Sequence, residues 1–141
     1  MELTEIIIKK DGKWYFGQAE MFRRNILNIL ARNIERQDDG SYCIKLGEDI
    51  NPITVEDVPF LATGYTEDED GRVKLCFHDL QEMALLNEPK LDLKGDVPYI
   101  SFRWEADTRL SRGVYWKLSE FFDLRGEEIY IVPPGAAKLQ Q

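Results

Sequence analysis

An α+β fold of duplicated hairpin–helix–strand units, with antiparallel sheets, one long helix and two short ones, is what this sequence predicts. Two internal echoes and a set of turn signals point to it. Asp57-Val58-Pro59-Phe60-Leu61 returns 39 residues later as Asp96-Val97-Pro98-Tyr99-Ile100. Tyr15-Phe16 and Glu20-Met21-Phe22 return 100 residues later as Tyr115-Trp116 and Glu120-Phe121-Phe122. Self-similarity at a distance is the sequence mark of a repeat. Proline lacks an N–H and pushes its predecessor out of the helical region, so Pro59 and Pro98 mark strand starts. Asp11-Gly12, Asp39-Gly40 and Asp70-Gly71 supply turns between apolar runs.

In chain order, Ile6-Ile7-Ile8, Asp11-Gly12 and Trp14-Tyr15-Phe16 predict the first hairpin. Residues 19–35 carry Phe22, Ile26, Ile29 and Leu30 at helical spacing and predict the long helix. Strand 41–46, a loop 47–52 and a short extended segment 53–55 follow. The second hairpin pairs residues 59–66 with 72–77 across the acidic tip Glu67-Asp68-Glu69-Asp70-Gly71, a solvated loop without EF-hand spacing. Asp79 and Glu82 match a capping box and predict a short helix to Leu86, with a polar connector over 87–96. The third hairpin pairs 98–106 with 113–117, Ser119 caps a brief helix through Leu124, and 127–132 is the last strand. In that hairpin Ile100, Phe102, Trp104 and Ala106 share one face, and Tyr99, Ser101, Arg103 and Glu105 the other. Parity assigns Trp14, Trp104 and Trp116 to the core. The repeat divides the chain into halves 1–77 and 78–141.

At 141 residues the chain can bury a core without staples. Its net charge is −8, concentrated in residues 1–70, which hold 15 acids and 8 bases. That balance lacks the footprint of a duplex nucleic-acid binder. Cys43 and Cys76 read as buried free thiols in a reducing compartment, and two cysteines with one histidine do not make a zinc site. No spanning or signal segment is visible, which predicts a cytoplasmic protein with no membrane partner. No cofactor or metal is expected.

His78, the single histidine, stands beside Asp79 and Glu82, a set able to exchange protons. No nucleophile, phosphate loop or metal motif accompanies it. A stronger concentration of chemistry lies later: Tyr99, Arg103, Tyr115 and Lys117 on one predicted sheet face, with Arg109 and Arg112 at its tip. Guanidinium groups beside aromatic rings suit a planar anion, by forked hydrogen bonds and stacking.

Asp11-Gly12-Lys13-Trp14, Asp39-Gly40-Ser41-Tyr42, Val55-Glu56-Asp57-Val58-Pro59-Phe60, Pro98-Tyr99 and Arg112-Gly113-Val114-Tyr115-Trp116 resemble, in order, an uncharacterised bacterial family. Its pattern runs D-G-x-W, D-G-x-Y, V-E-D-x-P-F, P-Y, R-x-V-F-Y. The resemblance implies a duplicated α+β core, a second half like pleckstrin-homology domains, and a nucleotide-like ligand in a signalling role. His78-Asp79-Leu80 departs from the family's H-P-L. The sequence therefore predicts a binding module, not an enzyme, that holds an anionic or nucleotide-like molecule. A protein-interaction module, such as a homodimer through strand edges, is the second expectation, and a small enzyme using His78 the third.

Overall fold

The computed structural model describes residues 5–135. They form a mixed α+β protein, mostly sheet, with two sheets and two short helices. The chain divides into two units, one running up to Pro59 and including Asp79–Gln81, the other comprising Phe60–His78 and the residues from Glu82 onward.

In the first unit β1 (Ile6–Ile8) and β2 (Trp14–Phe16) form the expected hairpin, with Ile8 opposite Trp14. The Asp11-Gly12 turn closes through the Lys9 N–H donating to the Lys13 carbonyl at 2.9 Å and the Lys13 N–H donating to Asp11 Oδ1. Then come β3 (Ala19–Glu20), α1 (Arg24–Arg32), β4 (Ile34–Arg36), β5 (Tyr42–Leu46) and β6 (Asp49–Val55). The sheet order is β3-β2-β1-β6-β5-β4, antiparallel except for the β1–β6 pair. Ile6, Ile8, Trp14, Ile34, Ile44 and the helix residues Leu27, Leu30 and Ala31 are its core.

The expected long helix is a correction. α1 has nine residues, because Ala19 and Glu20 pair with β2 and Ile34 opens β4. Its buried face is Leu27, Leu30 and Ala31, while Phe22 is 76% exposed and Ile29 50%. Apolar residues surround this segment, so periodicity alone selected the wrong stripe. The loop expected over 47–52 is instead mostly strand, joined to β5 by the two-residue turn Gly47-Glu48.

The second unit comprises β7 (Phe60–Glu67), β8 (Val73–Phe77), β9 (Glu82–Ala84), β10 (Lys90–Lys94), β11 (Val97–Ile100), β12 (Thr108–Leu110), α2 (Arg112–Leu118), β13 (Phe122–Arg125) and β14 (Glu128–Ile131). The order is β13-β14-β10-β11-β12-β7-β8-β9, with β12 parallel to β7 and the other neighbours antiparallel. Pro59 immediately precedes β7, and Pro98 is the second residue of β11. The second echo fails: Trp14–Phe16 is strand and Val114–Trp116 is helix.

Four further expectations are overturned here, one of them the helix from Ser119 through Leu124, where a single 3-10 turn at Ser119–Phe121 leads straight into β13. Residues 79–86 are a turn and β9, not a helix: Asp79, 2% exposed, spends its carboxylate on the Gln81 N–H and Nε2 at 3.0 and 3.1 Å. An Asp that folds onto its own next residues makes a turn in competition with a helix cap. Residues 87–96 hold β10 rather than a connector. Residues 113–117 lie in α2, whose start is fixed by the Ser111 hydroxyl accepting from the Val114 N–H at 3.3 Å. No helix among the described residues is long and apolar enough to cross a membrane.

Candidate functional site: a basic and aromatic groove

Loss of the third hairpin rearranges the predicted site. β11 ends at Ile100 because Asp107 reaches back to the chain that follows. Its carboxylate, 1% exposed, accepts from the N–H groups of Phe102, Arg103 and Trp104 at 2.8–2.9 Å and from the Thr108 hydroxyl at 3.0 Å. Three successive amides turned onto one carboxylate cannot serve a β-ladder. The loop is seated by rings: Phe60 meets Phe102 at 5.3 Å and stacks with Trp104 at 6.1 Å, and Phe77 meets Phe102 edge-on at 4.6 Å.

This loop removes Arg103 from the site. Its guanidinium lies over the Trp104 ring, 4.6 Å from the centroid, and 5.8 Å from that of Phe60. The meeting of Arg103 with Tyr115 across a ladder does not occur, since neither lies in a strand there. Tyr99, expected on an open face, is 4% exposed. Lys117 is committed to Glu120 at 3.4 Å, and that carboxylate's hydrogen bond and charge, with Tyr65 nearby, hold its ammonium above the ordinary range.

Arg109, Arg112 and Tyr115 do come together. They line one groove of about 370 Å³ with Asp96, Val97, Pro98, Leu110 and Trp116. β11 and β12 supply one wall, where Tyr99 stands opposite Arg109 in register. α2 supplies the other: Val114 and Leu118 are buried, which leaves Tyr115 half-buried and Trp116 69% exposed. Trp116 was expected in the core, as was Trp104, which is half-buried; only Trp14 is fully buried. Arg112 opens α2, is exposed, and enters no ion pair among the described residues. Two arginines and two aromatic rings on one concave surface can grip an anion and cover its flat or apolar body.

The turn Gly95-Asp96 forms the groove's third side. Sequence reasoning missed it, although Gly-Asp flanked by Leu91, Leu93 and Val97 is a hairpin signal. His78 lies elsewhere, just after β8, half-buried, with its backbone N–H donating to the Leu61 carbonyl at 3.0 Å. Among the described residues no three of His, Cys, Asp and Glu are gathered to hold a metal ion.

Fold and groove together define a small α+β protein of two units, the second bearing a concave basic and aromatic surface. The comparisons agree on the fold. The chain is similar in structure to a DUF1285-family protein from Silicibacter pomeroyi DSS-3, with a TM-score of 0.74 at 14% identity, over 98% of this chain and 84% of that one. It is also similar to a DUF1285-family protein from Shewanella baltica OS155, with a TM-score of 0.68 at 16% identity, over 87% of this chain and 96% of that one. No family model matches the sequence, and no curated protein does.

Proposed function

We propose that this chain is a non-enzymatic binding module that holds a small anionic molecule in the groove of its second unit. One observation carries the reading: Arg109 and Arg112, singled out by their chemistry, share a concave surface with Tyr115 and Trp116. Arg112 supplies the anion contact from the first turn of α2, and Trp116 offers a ring face to a planar body. A nucleotide-like ligand and a role in signalling fall within this reading.

The test is calorimetric titration of benzoate, inorganic pyrophosphate and adenosine monophosphate into the wild type and into Arg112→Ala and Arg103→Ala. A hydrogen bond to a charged group is worth about 1.5–3 kcal/mol, so Arg112→Ala should weaken binding roughly 10- to 150-fold. Arg103→Ala should leave affinity within about threefold, because that side chain is engaged with Trp104. Equal affinity in wild type and Arg112→Ala, or no heat with any of the three anions, would refute the reading.

A further inference from the structure

The groove is not purely basic. Asp96 lies on its lining with the two arginines, and a carboxylate there repels the anion that the arginines attract. Its position is built. Gly95 and Asp96 are the two central residues of the turn joining β10 to β11, with Lys94 opposite Val97 in register. Gly95 has φ +63° and Asp96 is not in the left-handed region, the pattern of a type II′ turn, in which the first central residue must be glycine. The residues on either side are laddered, so Asp96 is held at the end of a paired hairpin.

The Asp96 side chain is exposed and, like that of Arg112, makes no hydrogen bond or ion pair with the described residues. The carboxylate and that guanidinium therefore face the same space unconnected, although opposite charges on one small surface gain by meeting. Apolar surface from half-buried Val97 and the exposed Trp116 ring lies among them, over the buried Pro98 and Leu110. A negative group, a positive group and an apolar floor in one groove ask for a ligand with the complementary three parts.

We propose that the ligand is an aromatic α-amino-acid zwitterion. Its carboxylate docks on Arg112 and Arg109, its ammonium on Asp96, and its ring against Trp116 and Val97. This deepens the anionic reading, on which it rests, by adding to the ligand a cation that tightens its binding without being required for it. No covalent step is involved. Binding exchanges the hydration of each charge for a charge-assisted hydrogen bond and removes apolar ring surface from water.

The experiment compares three probes: L-phenylalanine, N-acetyl-L-phenylalanine, which lacks the ammonium, and L-phenylalaninamide, which lacks the carboxylate. None fluoresces strongly, and Trp116 is 69% exposed, so a blue shift of its emission on binding reports occupancy. Calorimetry supplies the affinities. In the wild type, L-phenylalanine should bind at least about tenfold tighter than either derivative. Asp96→Asn should erase the preference over the N-acetyl compound, and Arg112→Ala the preference over the amide. Tight binding of the N-acetyl compound to the wild type overturns the proposal, as does a preference unchanged in Asp96→Asn. So does a lack of binding by all three probes at millimolar concentration. Pyrophosphate or benzoate binding that depends on Arg112 would then leave the anionic reading standing, which separates the two failures.

Discussion

Replacing Asp107 by alanine should be among the most damaging single changes in the second unit. The wild-type carboxylate accepts four hydrogen bonds, three from backbone N–H groups at 2.8, 2.9 and 2.8 Å and one from the Thr108 hydroxyl at 3.0 Å. Bonds to a charged acceptor contribute about 1.5–3 kcal/mol each. Their simple sum overstates the loss, since the loop from Ser101 to Glu105 is half-exposed and water can reach some of the released amides. Two of the four groups left without a partner, at about 1–3 kcal/mol each, set the expected cost near 3–4 kcal/mol. For a chain of this length that corresponds to a fall in Tm of about 10 °C. Asp107→Asn keeps one acceptor oxygen and should cost about half as much. Urea unfolding of the two variants and the wild type measures both, and amide exchange at Phe102, Arg103 and Trp104 should accelerate in step. A loss below about 1 kcal/mol for Asp107→Ala, or slow amides in the variant, would show that the rings and not the carboxylate shape the loop.

Two further outcomes follow from burial and charge. Trp14→Ala should cost about 3–5 kcal/mol, because that ring is 1% exposed, whereas Trp116→Ala should cost under about 1 kcal/mol at 69% exposure; chemical denaturation that ranked them equally would refute the assigned orientation of α2. The Glu128 carboxyl is held below its ordinary value of 4.5, first by the Tyr130 hydroxyl at 2.6 Å and then by Lys90 at 3.4 Å. A depressed acid contributes stability above its unfolded pKa and loses it as pH falls through the folded one, so the small contribution should fade below pH 4.5, and an NMR titration midpoint at or above 4.5 would contradict the contact.

What the sequence made legible was chiefly the turns that combine Asp and Gly. Those at Asp11-Gly12, Asp39-Gly40 and Asp70-Gly71 each close a hairpin through the same pair of backbone bonds, from Lys9, Gln37 and Asp68 at one corner. A second grammar went unread. Gly17-Gln18, Gly47-Glu48, Gly95-Asp96 and Gly126-Glu127 are each a two-residue turn between paired strands, and with them β3, β6 and β10 were legible in principle. Val114-Tyr115-Trp116 misled because β-branched and aromatic residues favour strands, yet burial of Val114 and Leu118 with a capping Ser111 outweighs that preference. Arg109, Arg112 and Tyr115, which line one groove, were picked out by chemistry alone. Arg103, Tyr99 and Lys117 were displaced by contacts with Trp104, by burial and by Glu120, none of which parity foretells.

The parallel pair β7–β12 has a consequence for how the chain is made. It joins Phe60 to Thr108, with β8 through β11 falling between them in sequence. During synthesis β7, β8 and β9 can assemble as a meander while the strand that seals the other side of β7 is still unmade. At translation rates of about 5–20 residues per second, that edge stays open for about 2–10 s after β7 emerges. Phe60 and Ala62, both buried once β12 arrives, lie along it. A growing chain thus offers nascent neighbours an unpaired apolar strand, the geometry that templates edge-to-edge association. Slowing elongation between β9 and β12 should lower the soluble yield of this protein more than an equal pause placed after β14.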